Sequence, residues 1–317
     1  MLRYTLKRIW GAVLVILTVS VITFFVLTLI PGNAAMLTLG TDATAEQLKQ
    51  LEHAMGLDLP WYIRYFRWVG GLVRLDFGTS TLYGQSVLTL IAQRMPVTLS
   101  LAVLSMLMSL TVSILLGTLS AVYKDGPLDL LCRTLMQVGT ALPGFWVGII
   151  LIIYLALRTG LFPVSGFAPP SEGLGSYFRS IFLPSLALAV GEIGPLLRSV
   201  RTSMLQALKQ DYIDMGKAQG LPAHTIYLKY ALRGALAAPL NVAGMQFAKL
   251  LGGTTVIESV FSLPGLGRLI LVAVEQRDIA LLQGCVMYVS LVVVLISLGV
   301  DLLTAWLNPQ ARVDTQS

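Results

Sequence analysis

IWGAVLVILTVSVITFFVLTLI, residues 9–30, is an apolar run without a single charged side chain. As a helix it rises about 33 Å at 1.5 Å per residue, enough to cross the hydrocarbon of a bilayer. Arg3, Lys7 and Arg8 precede it, and Pro31 and Gly32 close it. The apolar core of a cleaved secretion signal is only about 7–15 residues long. The segment is therefore expected to remain as a first membrane span. The fold class that follows is an all-α membrane protein.

The rest of the chain agrees. Of 317 residues, 56% are hydrophobic and 12% charged, against about 25% charged in soluble domains. Five further apolar runs exceed the length that buried soluble helices use: 96–122, 131–157, 182–204, 234–261 and 283–307. About six transmembrane helices are expected. The organisation reads as an N-terminus and first helix at 1–32 and an extracytoplasmic or interfacial segment at 33–95. A five-helix core follows at 96–307, with a cytosolic loop at 205–233, then a cytosolic tail at 308–317.

A net charge of +6 could suit nucleic acid, but the basic residues sit in short clusters beside apolar runs. Six spans put both termini on one face. Arg3, Lys7, Arg8, Lys124, Arg133, Arg198, Arg201, Lys209, Lys217, Lys229, Arg233 and Arg312 fall at that face. The other face holds Arg158, Arg179, Arg268 and Arg277, plus Lys49, Arg64, Arg67, Arg74 and Arg94 in the long 33–95 segment, where the positive-inside rule counts least. Both termini are expected in the cytoplasm. Within 33–95, Trp61, Tyr62, Tyr65, Phe66 and Trp68 alternate with Arg64 and Arg67. Such a mixture can stack on bases, yet beside a span, and with Asp58 and Asp76 near, it reads as a helix in the headgroup layer. No nucleic-acid partner is expected; membrane lipid is.

Charges inside spans are costly, about 2.5–3.5 kcal/mol at the bilayer centre. Glu192 lies near the middle of the fourth span, beside Pro195, and Lys249 within the fifth. Two readings stay open: a structural ion pair, or groups lining a translocation pathway. Asp301, near the end of the last span, reads as an interfacial or inter-helix hydrogen-bonding group. Glu258, Pro264, Gly265 and Gly267 belong to ESVFSLPGLGR, residues 258–268. Proline and close glycines suggest a bent re-entrant element, hence an external gate or docking surface. The alternative is a plain turn leading to a surface helix at 269–274.

Enzyme chemistry finds little support. Cys132 and Cys285 lie in apolar stretches without a CxxC pair. His53 and His224 fall on opposite faces and cannot share a metal ion, so no metal site is expected. Neither Ser-His-Asp nor HExxH occurs, and Gly216-Lys217 is not part of a GxxxxGK[ST] loop. With no catalytic residue, the chain must draw energy from a partner or an ion gradient.

The connection LQALKQDYIDMGKAQGLPAHTIYLKYALR, residues 205–233, carries the most information about function. Leu205, Leu208, Tyr212 and Met215 recur at helical spacing. Gly220 can end that helix in the left-handed conformation, and Pro222 can open a second. Helix–helix connectors are typically 2–8 residues, so this structured elbow reads as a docking knob for a cytosolic partner. Its residues resemble the cytosolic signature of ATP-binding-cassette importer permeases, EAA-x3-G-x9-I-x-LP. Here Asp214-Met215-Gly216 is followed by three residues, Gly220, nine residues, and Tyr230-Ala231-Leu232-Arg233. The Gly and Leu register is kept, while Asp replaces Glu, Gly the second Ala, and Arg the final Pro.

Other stretches resemble the branch of that family that imports peptides and nickel. They are MLRYTLKR at the start, GLDLPWYIRYFRW and LDFGTS within 56–80, ALPGFWVGIIL at 141–151, ALRGALAAPL at 231–240 and GGTTVIESVFSLPGLGRL at 252–269. Asn308-Pro309-Gln310 departs from the usual Asp-Pro-Arg. The resemblance implies a type I importer permease fold in a bacterial inner membrane and half of a pathway shared with a second, homologous permease. It further implies two cytosolic ATPase subunits that hold ATP and Mg, this chain binding no cofactor. An extracytoplasmic binding protein would deliver peptide, nickel or a nickel chelate. It places Asp211, Tyr212, Asp214, Gly216, Ala218, Gly220 and Leu221 against the ATPase. The rivals are an ion-coupled secondary transporter using Glu192 and Asp301, and a membrane scaffold.

Overall fold

A run of apolar side chains satisfies its backbone in lipid only by coiling, and α1 (Leu2–Leu29) does so over 28 residues. The computed structural model describes residues 2–29, 44–56 and 58–307. The Pro31-Gly32 pair, the 33–43 stretch and the tail with Asn308, Pro309, Gln310, Arg312 and Asp314 lie outside the described residues. α2 (Ala45–Met55) opens on a capping box. The Gln47 backbone N–H donates to Thr44 Oγ1 at 3.3 Å, and Gln47 Oε1 accepts from the Thr44 N–H at 3.0 Å. α3 (Trp61–Val73) holds the aromatic stretch and lies against α1. Ser20 and Tyr65 hydroxyls meet at 2.8 Å, the Phe24 and Tyr65 rings at 5.4 Å, and those of Phe25 and Trp61 at 5.3 Å. Trp61, Tyr62 and Phe66 stay exposed, as an interfacial helix requires.

The centre is α4 (Val87–Val122) packed along α7 (Leu174–Ala207). α4 begins before Pro96 and, at 36 residues, rises about 54 Å, longer than a bilayer core is thick. Apolar side chains cannot drive two helices together in lipid; close approach of small residues can. Ser105, Ser109, Ser113 and Gly117 recur along the buried face of α4. Ser109 Oγ donates to the Ala189 carbonyl at 3.1 Å and Ser113 Oγ to that of Ile193 at 3.3 Å. A Cβ on Gly117 would stand 2.7 Å from Val200 Cγ1. Leu101, Ile181, Leu183, Leu196, Phe261 and Leu263 complete a fully buried core around this pair.

Between them the expected single span at 131–157 is instead two helices, α5 (Pro127–Ala141) and α6 (Gly144–Leu151), meeting at a 100° bend. Leu142 precedes a proline and is pushed to extended backbone, φ −80° and ψ 123°. α6 runs on into a wider π-type turn, Ile152–Leu157. After α7 come the short α8 (Asp211–Ala218) and a π-type turn at Thr225–Ala231.

The expected span at 234–261 is segmented into α9 (Leu232–Ala235), α10 (Ala237–Gly253) and α11 (Thr255–Val260). Leu236 and Thr254 at its joints keep helical dihedrals, with ψ −21° and −19°. α12 (Leu266–Glu275) and α13 (Ile279–Leu307) end the described chain. Four described helices are long and apolar enough to cross a membrane, five when the bent pair counts as one. The sixth expected span is the segmented run, whose longest piece, α10, has 17 residues.

α13 packs along α1, where Arg8 Nη1 meets Asp301 Oδ2 at 3.0 Å. Asp301 is thus an inter-helix ion-pair group. The helix after the glycine cluster is no surface helix: Leu266, Leu269 and Ala273 of α12 are buried against Phe77, Val87, Leu90 and Ile91. Ser80 Oγ donates to buried Asp278 Oδ2 at 2.5 Å, tying the 76–86 loop to the start of α13.

Candidate functional site

The elbow forms because three signals coincide. Asp211 and Asp214 stand in the first turn of α8, where the positive end of the helix dipole favours acids. Gly220, at φ +72°, then ends it. The Gly220 N–H donates to the Lys217 carbonyl at 3.0 Å and the Leu221 N–H to that of Gly216 at 3.1 Å, a Schellman closure. Pro222 restarts the chain, its carbonyl accepting from Thr225 and Ile226 N–H at 2.9 and 3.2 Å.

The inward face differs from the helical stripe expected of Leu205, Leu208, Tyr212 and Met215. α7 stops at Ala207 and a turn of three residues resets the register. Ile213 and Gly216 are buried, while Tyr212 and Met215 are 43% and 63% exposed. Ile213, Ile226 and Ala231 form an apolar underside seated on Ala121 of α4 and on Val200, Met204 and Ala207 of α7, with Leu221 against it. Asp211, Tyr212, Asp214, Ala218 and Gly220 lie on the outer surface. Of the expected docking residues, Gly216 and Leu221 alone turn inward. Lys217 Nζ meets Asp214 Oδ1 at 2.9 Å on the exposed side, a pair worth at most about 1 kcal/mol. Beside Tyr212 opens a cavity of about 480 Å³ that Ser203, Gln206, Gln210 and Asn241 help to line.

Next to the seat lies a polar cluster that sequence reasoning used only as loop charges. Asp129, in the first turn of α5, is completely buried. Its Oδ1 accepts from Ser120 Oγ at 2.5 Å and Arg201 Nε at 2.7 Å. Its Oδ2 accepts from Arg201 Nη2 at 2.9 Å and the Asp125 N–H at 3.1 Å. Arg133 Nη2 approaches Oδ2 at 3.1 Å. This two-pronged Arg–carboxylate fork, the strong form of the pair, ties α4, α5 and α7 together. The signal available in sequence was an acid just after Gly126-Pro127, at a helix start; nothing local pointed to a partner 72 positions away.

The intramembrane charges are not joined. Glu192 is 6% exposed, with Oε2 buried and unpartnered among the described residues. Lys249 is exposed, and among the described residues no ion pair within 4 Å links the two. Gly191, Gly252 and Gly253 border open space.

Glu258, by contrast, is fully buried and held. Oε1 accepts from Thr98 Oγ1 at 2.7 Å and Thr254 Oγ1 at 2.9 Å, and Oε2 from the Arg268 N–H at 2.8 Å. Gly265 and Gly267 are required by this packing. A Cβ on the first would run into the Glu258 carboxyl; one on the second would stand 2.5 Å from Thr255 Oγ1. Pro264 is half-buried between them and Leu263. Outside the spans, His53 Nδ1 lies 2.8 Å from Asp58 Oδ2, and that hydrogen bond holds the Asp58 carboxyl below its ordinary range.

Against known proteins, residues 113–313 match the model of the binding-protein-dependent transport system inner membrane component, and residues 1–102 the N-terminal model of the same group. A dipeptide transport system permease of Lactococcus lactis is 32% identical over 99% of this chain and 100% of its own. A glutathione transport system permease of Salmonella paratyphi A is 34% identical, covering 98% and 99%. A Brucella abortus protein whose name assigns it to a peptide transport system is 36% identical over 98% of each. Among solved structures, a chain of the MetNI methionine ABC transporter in an inward-facing conformation shares the fold. Its TM-score is 0.56 at 16% identity, covering 69% of this chain and 96% of that one. This chain is a multi-pass membrane protein, and it belongs to the binding-protein-dependent transport system inner membrane component family.

Proposed function

We propose that this chain is the permease half of an ATP-driven importer of peptides, with the 205–233 elbow as the handle that a nucleotide-hydrolysing partner grips. The observation that carries this reading is the two-sidedness of the elbow. Its underside is seated on the ends of α4 and α7, while Asp211, Asp214, Ala218 and Gly220 stand exposed on the outer side and Tyr212, partly exposed, borders the cleft beside Gly234. A mere connector needs no such exposed, capped helix. The elbow, both termini and the Asp129 cluster then face the cytoplasm, and the Glu258 end faces outward. There a binding protein would deliver cargo and the glycine cluster would serve as gate or docking surface. A second, homologous permease completes the pathway, two ATPase subunits supply ATP and Mg, and Lys249 and Glu192 line the route. A lysine exposed at mid-span is costly against lipid, so it needs a water-filled path or a partner subunit. The dipeptide and glutathione names of the relatives favour peptide cargo over nickel or its chelates.

The decisive experiment co-expresses this chain with its neighbouring genes, purifies it by a tag and reconstitutes the complex. An ATPase and a second permease should co-purify, and ATP-dependent uptake of a labelled dipeptide should exceed that of nickel or a nickel chelate. Uptake by this chain alone, driven by an ion gradient, would overturn the reading. So would labelling of an Ala218→Cys variant from the outside of intact cells.

A further inference from the structure

We propose that Asp129 and Arg201 form a positioning clamp that carries the movement of the elbow to the bend between α5 and α6. The proposal rests on the importer reading for its assay, and on geometry for its content. Force applied at α8 enters the membrane helices through the seat, where Ile213 and Ile226 bear on Val200 and Met204 of α7 and Ala121 of α4. α7 must then take its neighbours with it, or the force is lost as local sliding. Besides the apolar packing of Leu197 and Ile193 on Cys132 and Met136, it meets α5 closely at two places. At the elbow end the Arg201 fork grips Asp129 at 2.7 and 2.9 Å, with Ser120 of α4 bonded to the same carboxylate. At the bend, the two helix backbones touch. A Cβ on Gly194 would stand 2.7 Å from the Met136 carbonyl oxygen, and one on Gly139 3.2 Å from that of Val190.

α5 is therefore a strut pinned to α7 at both ends, and beyond its second pin the chain turns by 100° at Leu142–Pro143. Displacement of the elbow is delivered at that bend, at the level of Val190 and Gly194 of α7. The seat itself holds no member of α5. α7 otherwise reaches α5 through close backbone contact and through Leu197 and Ile193 against Cys132 and Met136. That packing is non-directional, and the two-pronged fork locks it in register. Every acceptor position of Asp129 is engaged and the group is wholly buried, so the pair has the discreteness that two-state transmission needs.

The test uses the whole reconstituted complex and reads cargo imported per ATP hydrolysed, with binding protein and dipeptide saturating. Asp129→Asn keeps the shape but loses the charge. It is expected to leave ATP hydrolysis within about twofold of wild type and to lower the import-to-hydrolysis ratio by about tenfold, the scale of mutations along a coupling route. Arg201→Lys keeps the charge but not the planar fork, and should lower the ratio about threefold. A clamp with a purely structural role would reduce assembled complex, or reduce import and hydrolysis in proportion. Either result for both variants, or an unchanged ratio, overturns the proposal. Should Asp129→Asn fail to assemble, Arg201→Lys alone decides it. A wild-type complex without any ATP-dependent uptake would sink the importer reading instead.

Discussion

Glu258 and Glu192 are both buried acids in a mostly apolar molecule, and their surroundings could hardly differ more. Around Glu258 two threonine hydroxyls and a backbone N–H converge, and two glycines leave room for its carboxyl. At Glu192 one carboxyl oxygen has no partner among the described residues, and the adjoining Gly191 borders open space. Buried polar groups are costly when unpaired, so of the two acids Glu192 is the more costly for the fold to keep. The first acid belongs to the architecture; the second is the one that our proposal assigns to whatever completes or passes through the molecule.

Substitutions can break or sharpen that contrast. Glu258→Ala strands Thr98, Thr254 and the Arg268 N–H, and should cost about 3 kcal/mol or more, read as a large fall in melting temperature of the detergent-purified complex. Gly265→Ala forces a methyl into the same carboxyl and should cost about 2 kcal/mol by the same melt. Glu192→Gln should leave the melt within about 1 kcal/mol of wild type, or raise it, while uptake falls. A loss matching that of Glu258→Ala would erase the distinction. Asp214→Asn, which touches only the exposed Asp214–Lys217 pair, should move stability by about 0.5 kcal/mol at most and marks the floor of the series. Its larger effect should be on ATPase binding to the complex.

Legibility in the sequence followed the range of the interactions. The first span, the elbow and its stop at Gly220 depend on residues a few positions apart, and periodicity, glycine and proline disclose them. The Leu142–Pro143 bend was equally local, yet the apolar run across 131–157 masked it. The inward stripe of the elbow was misassigned because a short turn at 208–210 shifts the helical phase, so that Ile213 rather than Tyr212 reaches the seat. Asp129 with Arg201, and Glu258 with Thr98, lie 72 and 160 positions apart. No local pattern encodes such pairs, so the partners that hold the Glu258 carboxyl are not legible in the sequence.

The 100° turn at Leu142–Pro143 also has an electrical consequence. A continuous helix carries its dipole ends to the two aqueous surfaces; a broken one leaves a pair of them in the interior. Here the carbonyl-rich end of α5, carrying about half a negative charge, lies along α7 next to Gly194. The N–H-rich start of α6 at Gly144 stands at the same bend with the opposite partial charge, so the break holds a local dipole made of main chain alone. Exchanging side chains would leave that dipole in place; straightening the bend would remove it.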